Sequence, residues 1–72
     1  MRSGKVFFYF PNGKPQVEAN FKEGVEDGPY IVYRDSGIPY YQGNYTEGKR
    51  TGIWEFYDEE GNLSRTIDYN AQ

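Results

Sequence analysis

The chain contains neither cysteine nor histidine. Without cysteine, disulfide stapling and thiolate metal sites are excluded, and with them the usual route by which small secreted domains gain stability. Without histidine, the commonest metal ligand and the commonest general base are missing. Valine, isoleucine and leucine number only nine in 72 residues, and no apolar run approaches the roughly 18 residues of a membrane-spanning helix. Met1-Arg2-Ser3-Gly4 opens no signal-peptide hydrophobic segment, so the sequence predicts a soluble, cytoplasmic chain. A field of one sign is absent too. Eleven acidic and eight basic residues are interspersed, for a net charge of −3, which leaves no footprint for a phosphate backbone or anionic lipid. Nucleic acid is not an expected partner, and a membrane surface is disfavoured.

What the chain has instead is aromatic surface: eight tyrosines, five phenylalanines and one tryptophan, each able to bury about 150 to 250 Å². A chain of this size forms one domain and buries only about 60 % of the surface its unfolded form exposes. The core is therefore expected to be thin and aromatic.

A 24-residue period runs the length of the sequence, in copies covering residues 4–27, 28–51 and 52–72. The copies agree at Gly4/Gly28/Gly52, Tyr9/Tyr33/Tyr57, Gly13/Gly37/Gly61 and the aromatic Phe21/Tyr45/Tyr69. Glu23-Gly24 recurs as Glu47-Gly48, and the third copy reaches Ala71-Gln72 where that turn is due, so the chain reads as an array cut from a longer one or ended short. Such a period marks a repeat architecture in which each copy is one supersecondary unit.

Each copy divides into two runs of β-formers separated by turn residues. Lys5 to Phe10 is followed by Pro11-Asn12-Gly13-Lys14, and Asn-Gly between such runs predicts a hairpin with a type I′ turn. Asp35-Ser36-Gly37 and Glu59-Glu60-Gly61-Asn62 hold the same place. Only the glycine is kept, as a single left-handed position requires. Nine glycines and four prolines leave no window of the roughly 12 to 15 residues that a marginal helix needs. The expectation is an all-β antiparallel meander of three consecutive hairpins, six strands in all.

The two-residue period of a strand also predicts faces. Val6/Tyr30/Trp54 and Phe8/Val32/Phe56 should form the buried side, with Val17/Tyr41/Arg65, Ala19/Gly43/Ile67 and Phe21/Tyr45/Tyr69 in the second strands. Phe7/Ile31/Glu55 and Tyr9/Tyr33/Tyr57 lie opposite. Glu18/Gln42/Thr66 and Asn20/Asn44/Asp68 should face solvent, as should Gln16/Tyr40/Ser64, where Tyr40 is the copy-specific exception.

The string Gly43-Asn44-Tyr45-Thr46-Glu47-Gly48-Lys49-Arg50-Thr51-Gly52-Ile53-Trp54-Glu55-Phe56-Tyr57, closing on Gly61, resembles a MORN repeat in its bacterial variant. Ala19 to Tyr33 is a weaker copy, with Ala19 for glycine, Val25 for lysine and Tyr30 for tryptophan. The resemblance implies an elongated sheet one layer thick, an antitoxin-like role, and association with scaffolding, dimerisation or phospholipid contact. None of these roles attaches to particular residues of this chain.

Residues that could carry chemistry have ordinary explanations. Glu18, Glu26-Asp27 and Asp58-Glu59-Glu60 supply carboxylates, but most sit in turns, with no sign of the cleft that an acid pair spaced roughly 5 to 9.5 Å needs. Ser3, Ser36 and Ser64 have no histidine to activate them. Asp58 to Asn62 lacks the 12-residue alternation of a calcium loop, and the spaced glycines precede no helix that could cradle phosphate. The chain is expected to be non-catalytic, with no cofactor and no metal.

The aromatics are the better candidates. Tyr9, Tyr33 and Tyr57 should form a ladder at about 10 Å intervals, and a single layer cannot hide both faces. The candidate binding residues are therefore Phe7, Tyr9, Ile31, Tyr33, Tyr40 and Tyr41. The strand Val6 to Phe10 is continuously apolar with only Lys5 to protect it, so self-association is expected at this N-terminal edge. The function expected is a protein-interaction or scaffold module that presents an aromatic sheet face to a protein or peptide; the alternative is a module binding lipid or a membrane surface.

Overall fold

A computed structural model describes residues 3–70. It is a single antiparallel sheet of β1 (Gly4–Tyr9), β2 (Pro15–Lys22), β3 (Val25–Glu26), β4 (Gly28–Tyr33), β5 (Pro39–Thr46), β6 (Lys49–Tyr57) and β7 (Leu63–Asp68). The strand order is β1-β2-β4-β5-β6-β7, with β3 also on β2. One period separates β3 and β4 from β6, so the seventh strand is the opening stub of the third, interrupted at Asp27. There the Asp27 N–H still donates to the Asn20 carbonyl at 2.9 Å. The six-stranded meander expected from the period is therefore present, without helix among the described residues. The molecule is a slab of 33 × 33 × 11 Å. Its radius of gyration of 12.8 Å exceeds the ~11 Å of a compact domain of this length, as one layer requires.

The turns differ from expectation in an instructive way. Asn12-Gly13 does not form a type I′ turn. The Gly13 N–H donates to the Phe10 carbonyl at 2.9 Å and the Phe10 N–H to the Lys14 carbonyl at 2.8 Å, while only Gly13 has positive φ. This is a type I turn closed by one left-handed glycine, which suits Pro11 because its ring holds φ negative at the first central position. The same bonds recur at Arg34, Gly37 and Ile38, and at Asp58, Gly61 and Asn62.

Both-positive φ occurs in the other turns, at Glu23 (51°) with Gly24 (87°) and at Glu47 (51°) with Gly48 (84°). These are the two-residue loops between Lys22 and Val25 and between Thr46 and Lys49. A glutamate in this region costs about 1–2 kcal/mol. Contacts with the preceding turn row hold it there: the Glu23 N–H donates to Ser3 Oγ at 3.1 Å, the Glu47 N–H to Asp27 Oδ2 at 3.2 Å, and the Gly48 N–H to the Glu26 carbonyl at 2.8 Å. Ser3 and Asp27 stand one period apart, as do the glutamates they serve. The counterpart turn expected at Ala71-Gln72 lies outside the described residues.

Replacing Glu47 by asparagine, which tolerates left-handed φ, is expected to raise stability by about 1 kcal/mol, read as a higher urea midpoint at unchanged slope.

Candidate functional site

Strand register sorts the side chains into two rows that cross the whole sheet. One row runs Phe8, Val17, Val32, Tyr41, Phe56, Arg65, each paired with the next on the adjacent strand. The other, on the opposite face, runs Phe7, Glu18, Ile31, Gln42, Glu55, Thr66. The predicted division of faces is therefore the observed one. What differs is the depth of burial: among the described residues only Ala19 and Trp54 are buried outright. Val6, Tyr30, Val32 and Phe56 are half-buried, and Phe8 is 47 % exposed, because among the described residues no second layer covers them and β1 pairs with β2 alone.

Trp54 is the centre of the first face. Tyr45 and Tyr69 meet it edge-on at 5.2 and 6.1 Å, and Tyr30 and Tyr41 lean on it at 6.1 Å each. The Arg50 guanidinium lies 5.5 Å from its ring, and the indole N–H donates to the Thr51 carbonyl at 3.2 Å. Beneath it is Gly43, where a Cβ would fall 2.0 Å from Trp54 Cδ2. Gly43 also sits at a slip in the β5–β6 register between Gln42 and Asn44, which turns Trp54 across the backbone. One period upstream stand Ala19 and Tyr30, so the two departures from the repeat pattern belong to one contact. A phenol ring leaves room for a methyl group where an indole does not.

The second face is polar where sequence reading expected solvent alone. Gln42 Nε2 donates to the Tyr57 hydroxyl at 2.8 Å and to Glu55 Oε1 at 3.2 Å, and the Tyr57 hydroxyl donates to Glu55 Oε1 at 3.1 Å. Glu18 takes an ion pair from Lys5 at 3.3 Å. Both Gln42 and Glu18 are half-buried rather than solvated.

The six candidate residues do not form one patch. Phe7 and Ile31 share the second face, and Tyr9 stacks on Phe7 at 6.2 Å. Tyr41 belongs to the first face, stacked on Phe56 at 5.4 Å. Tyr9, Tyr33 and Tyr57 hold equivalent places at the ends of β1, β4 and β6, and among the described residues they make no ring contact with one another. Beside each of them the pairing with the following strand slips by one residue, after Phe8, Val32 and Phe56, and the extra residue lies on that following strand.

Those slips also explain Tyr40. Tyr33 pairs with Pro39 and Val32 with Tyr41, so Tyr40 is the extra residue of a bulge, as Gln16 and Ser64 are in their copies. Its ring carries the Arg34 guanidinium at 4.3 Å and meets Tyr41 edge-on at 5.4 Å, yet it stays 45 % exposed. Arg34 in turn donates through Nη2 to the Tyr57 carbonyl of the next copy at 3.0 Å. Sequence reasoning overlooked Arg34, Arg50 and Arg65, the last lying 4.7 Å over Phe56. No fixed spacing marked them: Arg34 follows Tyr33, Arg50 and Arg65 lie four residues before Trp54 and Tyr69, and the first copy carries no arginine.

No group of acidic side chains among the described residues could hold a metal ion. Two open depressions, of about 360 and 370 Å³, lie among the turns, one lined by Arg34, Asp35, Ser36 and Glu59, the other by Lys22, Glu23, Val25, Asp27 and Glu47. No helix among the described residues is long and apolar enough to cross a membrane.

The pattern of the MORN repeat variant matches residues 2–23 and 50–71, 44 of the 72 residues, in two stretches whose starts are two periods apart. The chain belongs to the MORN repeat variant family. MORN repeats are non-catalytic modules generally associated with protein or membrane-lipid interaction. No curated protein and no solved structure matches the chain. The middle MORN copy, with Ile31, Tyr33, Tyr40 and Tyr41, lies between the matched stretches.

Gly43→Ala is expected to cost about 1–3 kcal/mol by overpacking, and combination with Trp54→Tyr to cost less than the two single changes added, as Ala19 with Tyr30 implies. A double-mutant cycle in urea reads that coupling. Burial, followed by neighbouring phenols, raises the pKa of Tyr30 and Tyr41 above the ordinary 10.0. The folded state therefore favours the neutral phenols. Stability from this source is complete below pH 10 and falls as pH rises through the folded-state values. Tyr30→Phe and Tyr41→Phe should flatten that alkaline loss in urea midpoints measured from neutral to strongly basic pH.

Proposed function

We propose that the chain is a non-catalytic protein-interaction module that binds a protein or peptide partner through the second sheet face and the Tyr40 bulge. The observation that carries this reading is Tyr40, a large aromatic ring that the fold orders between Arg34 and Tyr41 and still leaves 45 % exposed. An ordered tyrosine beside an arginine is the side-chain chemistry that dominates binding energy at protein interfaces, because little rotamer entropy is left to lose. Ile31 and Tyr33 of the same copy, and Phe7 stacked with Tyr9 toward β1, are the further contacts of this reading on the second face. A scaffold, or an antitoxin-like protein holding its partner on this sheet in the cytoplasm of a bacterium, is a finer form of the same reading.

The cations support protein over lipid. Lys5 is paired with Glu18, and Arg34, Arg50 and Arg65 lie on aromatic rings, so four of the eight basic residues are engaged within the sheet rather than gathered on one face.

Tyr40→Ser installs the residue that the third copy carries at Ser64, and Ile31→Thr trims the apolar side chain without setting a carboxylate opposite Glu18. The double variant is expected to retain its circular dichroism and unfolding midpoint while weakening partner retention by the immobilised chain about tenfold or more, about 1.4 kcal/mol. Undiminished retention would exonerate this surface. Flotation of the chain with anionic vesicles would instead favour the lipid reading.

A further inference from the structure

The strands that open each copy are alike in sequence but unequally covered. Ile31 and Glu55, Val32 and Phe56, and Tyr33 and Tyr57 are all half-buried. Their counterparts on β1 are open, with Phe7 at 43 %, Phe8 at 47 % and Tyr9 at 58 % exposure. One strand makes the difference. β4 and β6 have β2 and β5 on their leading edge, whereas β1 pairs among the described residues with β2 alone. Because Phe7 and Phe8 point to opposite faces, a strand seated on the free edge covers both at once.

We propose that β1 of a second copy occupies this edge, antiparallel about a two-fold axis, so that two meanders join into one continuous sheet. This deepens the interaction-module reading, on which it rests, by naming one partner. The edge is self-complementary when centred on Phe7. Val6 then faces Phe8 of the partner subunit on the Trp54 side, and Lys5, the strand's only charge, faces the ring of the partner's Tyr9 on the other. Such a pairing reproduces the backbone joint that the sheet already makes between its own copies, where Val17 meets Val32 and Tyr41 meets Phe56. The opposite edge is differently made. On β7, Ser64, Arg65, Thr66 and Asp68 are exposed, and Arg65 is held on Phe56 at 4.7 Å. Charged and polar edges of this kind oppose strand addition. A two-fold joint at β1 therefore closes the assembly and leaves the guarded edges outside, whereas β7 on β1 would be head-to-tail and open-ended.

Sedimentation of the 72-residue chain across a concentration series tests this. The mass is expected to rise from 8.4 kDa to twice that value and stop. Phe7→Lys with Phe8→Lys should abolish the rise while circular dichroism and Trp54 fluorescence hold, since both side chains are open in the single chain; Leu63→Lys, on β7, should leave the dimer intact. The chain has no cysteine, so Phe7→Cys alone should form an interchain disulfide on mild oxidation and Leu63→Cys should not. A monomer at every concentration, growth beyond the dimer, or a dimer lost in Leu63→Lys and kept in the double lysine variant would overturn the proposal. Dimerisation by Ile31→Thr/Tyr40→Ser, assayed alongside, separates the β1 edge from the partner surface, so that either can fail alone.

Discussion

An indole over a missing side chain holds this sheet together. A single layer has no opposing sheet or helix to bury against, and a hairpin alone is marginal in water. Trp54 resolves this by lying flat on Gly43, so close that the backbone of β5 becomes its floor, while Tyr30, Tyr41, Tyr45 and Tyr69 form its walls. Tryptophan thereby reaches 1 % exposure in a slab 11 Å thick. The residues that meet there come from β4, β5, β6 and the end of the third copy, so this one contact joins all but the first hairpin.

Everything else in the fold keeps that geometry in phase. At Gly43 the β5–β6 register slips by two residues, between Gln42–Glu55 and Asn44–Thr51, beside Trp54, and each hairpin carries a one-residue bulge before its turn. The tight Glu-Gly turns require left-handed φ at a residue that resists it, and their amides are tied to Ser3, Asp27 and Glu26 in the row before. Each such bond is worth little, about 0.5–1.5 kcal/mol net. Repetition at a fixed period makes them act together, because a repeat is stabilised chiefly by the neighbours it stacks on.

The period made the strands, their order and their faces legible, since a two-residue alternation and one kept glycine per turn are local signals. Ala19 and Tyr30 were visible as departures but not as a pair, because the contact that couples Gly43 to Trp54 spans eleven residues and a register slip. The turn types were exchanged for a related reason. Asn12-Gly13 is the stronger dipeptide for two positive φ values, yet it takes the other turn, which Pro11 suits and which the second and third copies form without proline, and Glu23-Gly24 adopts the strained one under tertiary bonds that no local rule contains. The Gln42–Tyr57–Glu55 cluster and the arginines laid on rings depend on long side chains reaching across strands, which alternation does not register.

The bulge shows where such a scaffold has freedom. Gln16, Tyr40 and Ser64 are the unpaired residues of three equivalent bulges, and nothing in the pairing constrains their side chains: an amide, a phenol and a hydroxymethyl occupy the same place on the same backbone. Glu55, by contrast, is bound to Gln42 and Tyr57, and Trp54 admits no larger neighbour than glycine. Variation at the bulges costs the sheet little, so a partner can be selected there without disturbing the core. In the middle copy that freedom was taken up by Tyr40, and Arg34 turns a permitted side chain into an ordered one by bridging it to the carbonyl of Tyr57 in the next repeat. A tolerated position fixed by a neighbouring copy is what distinguishes a displayed contact residue from an exposed one.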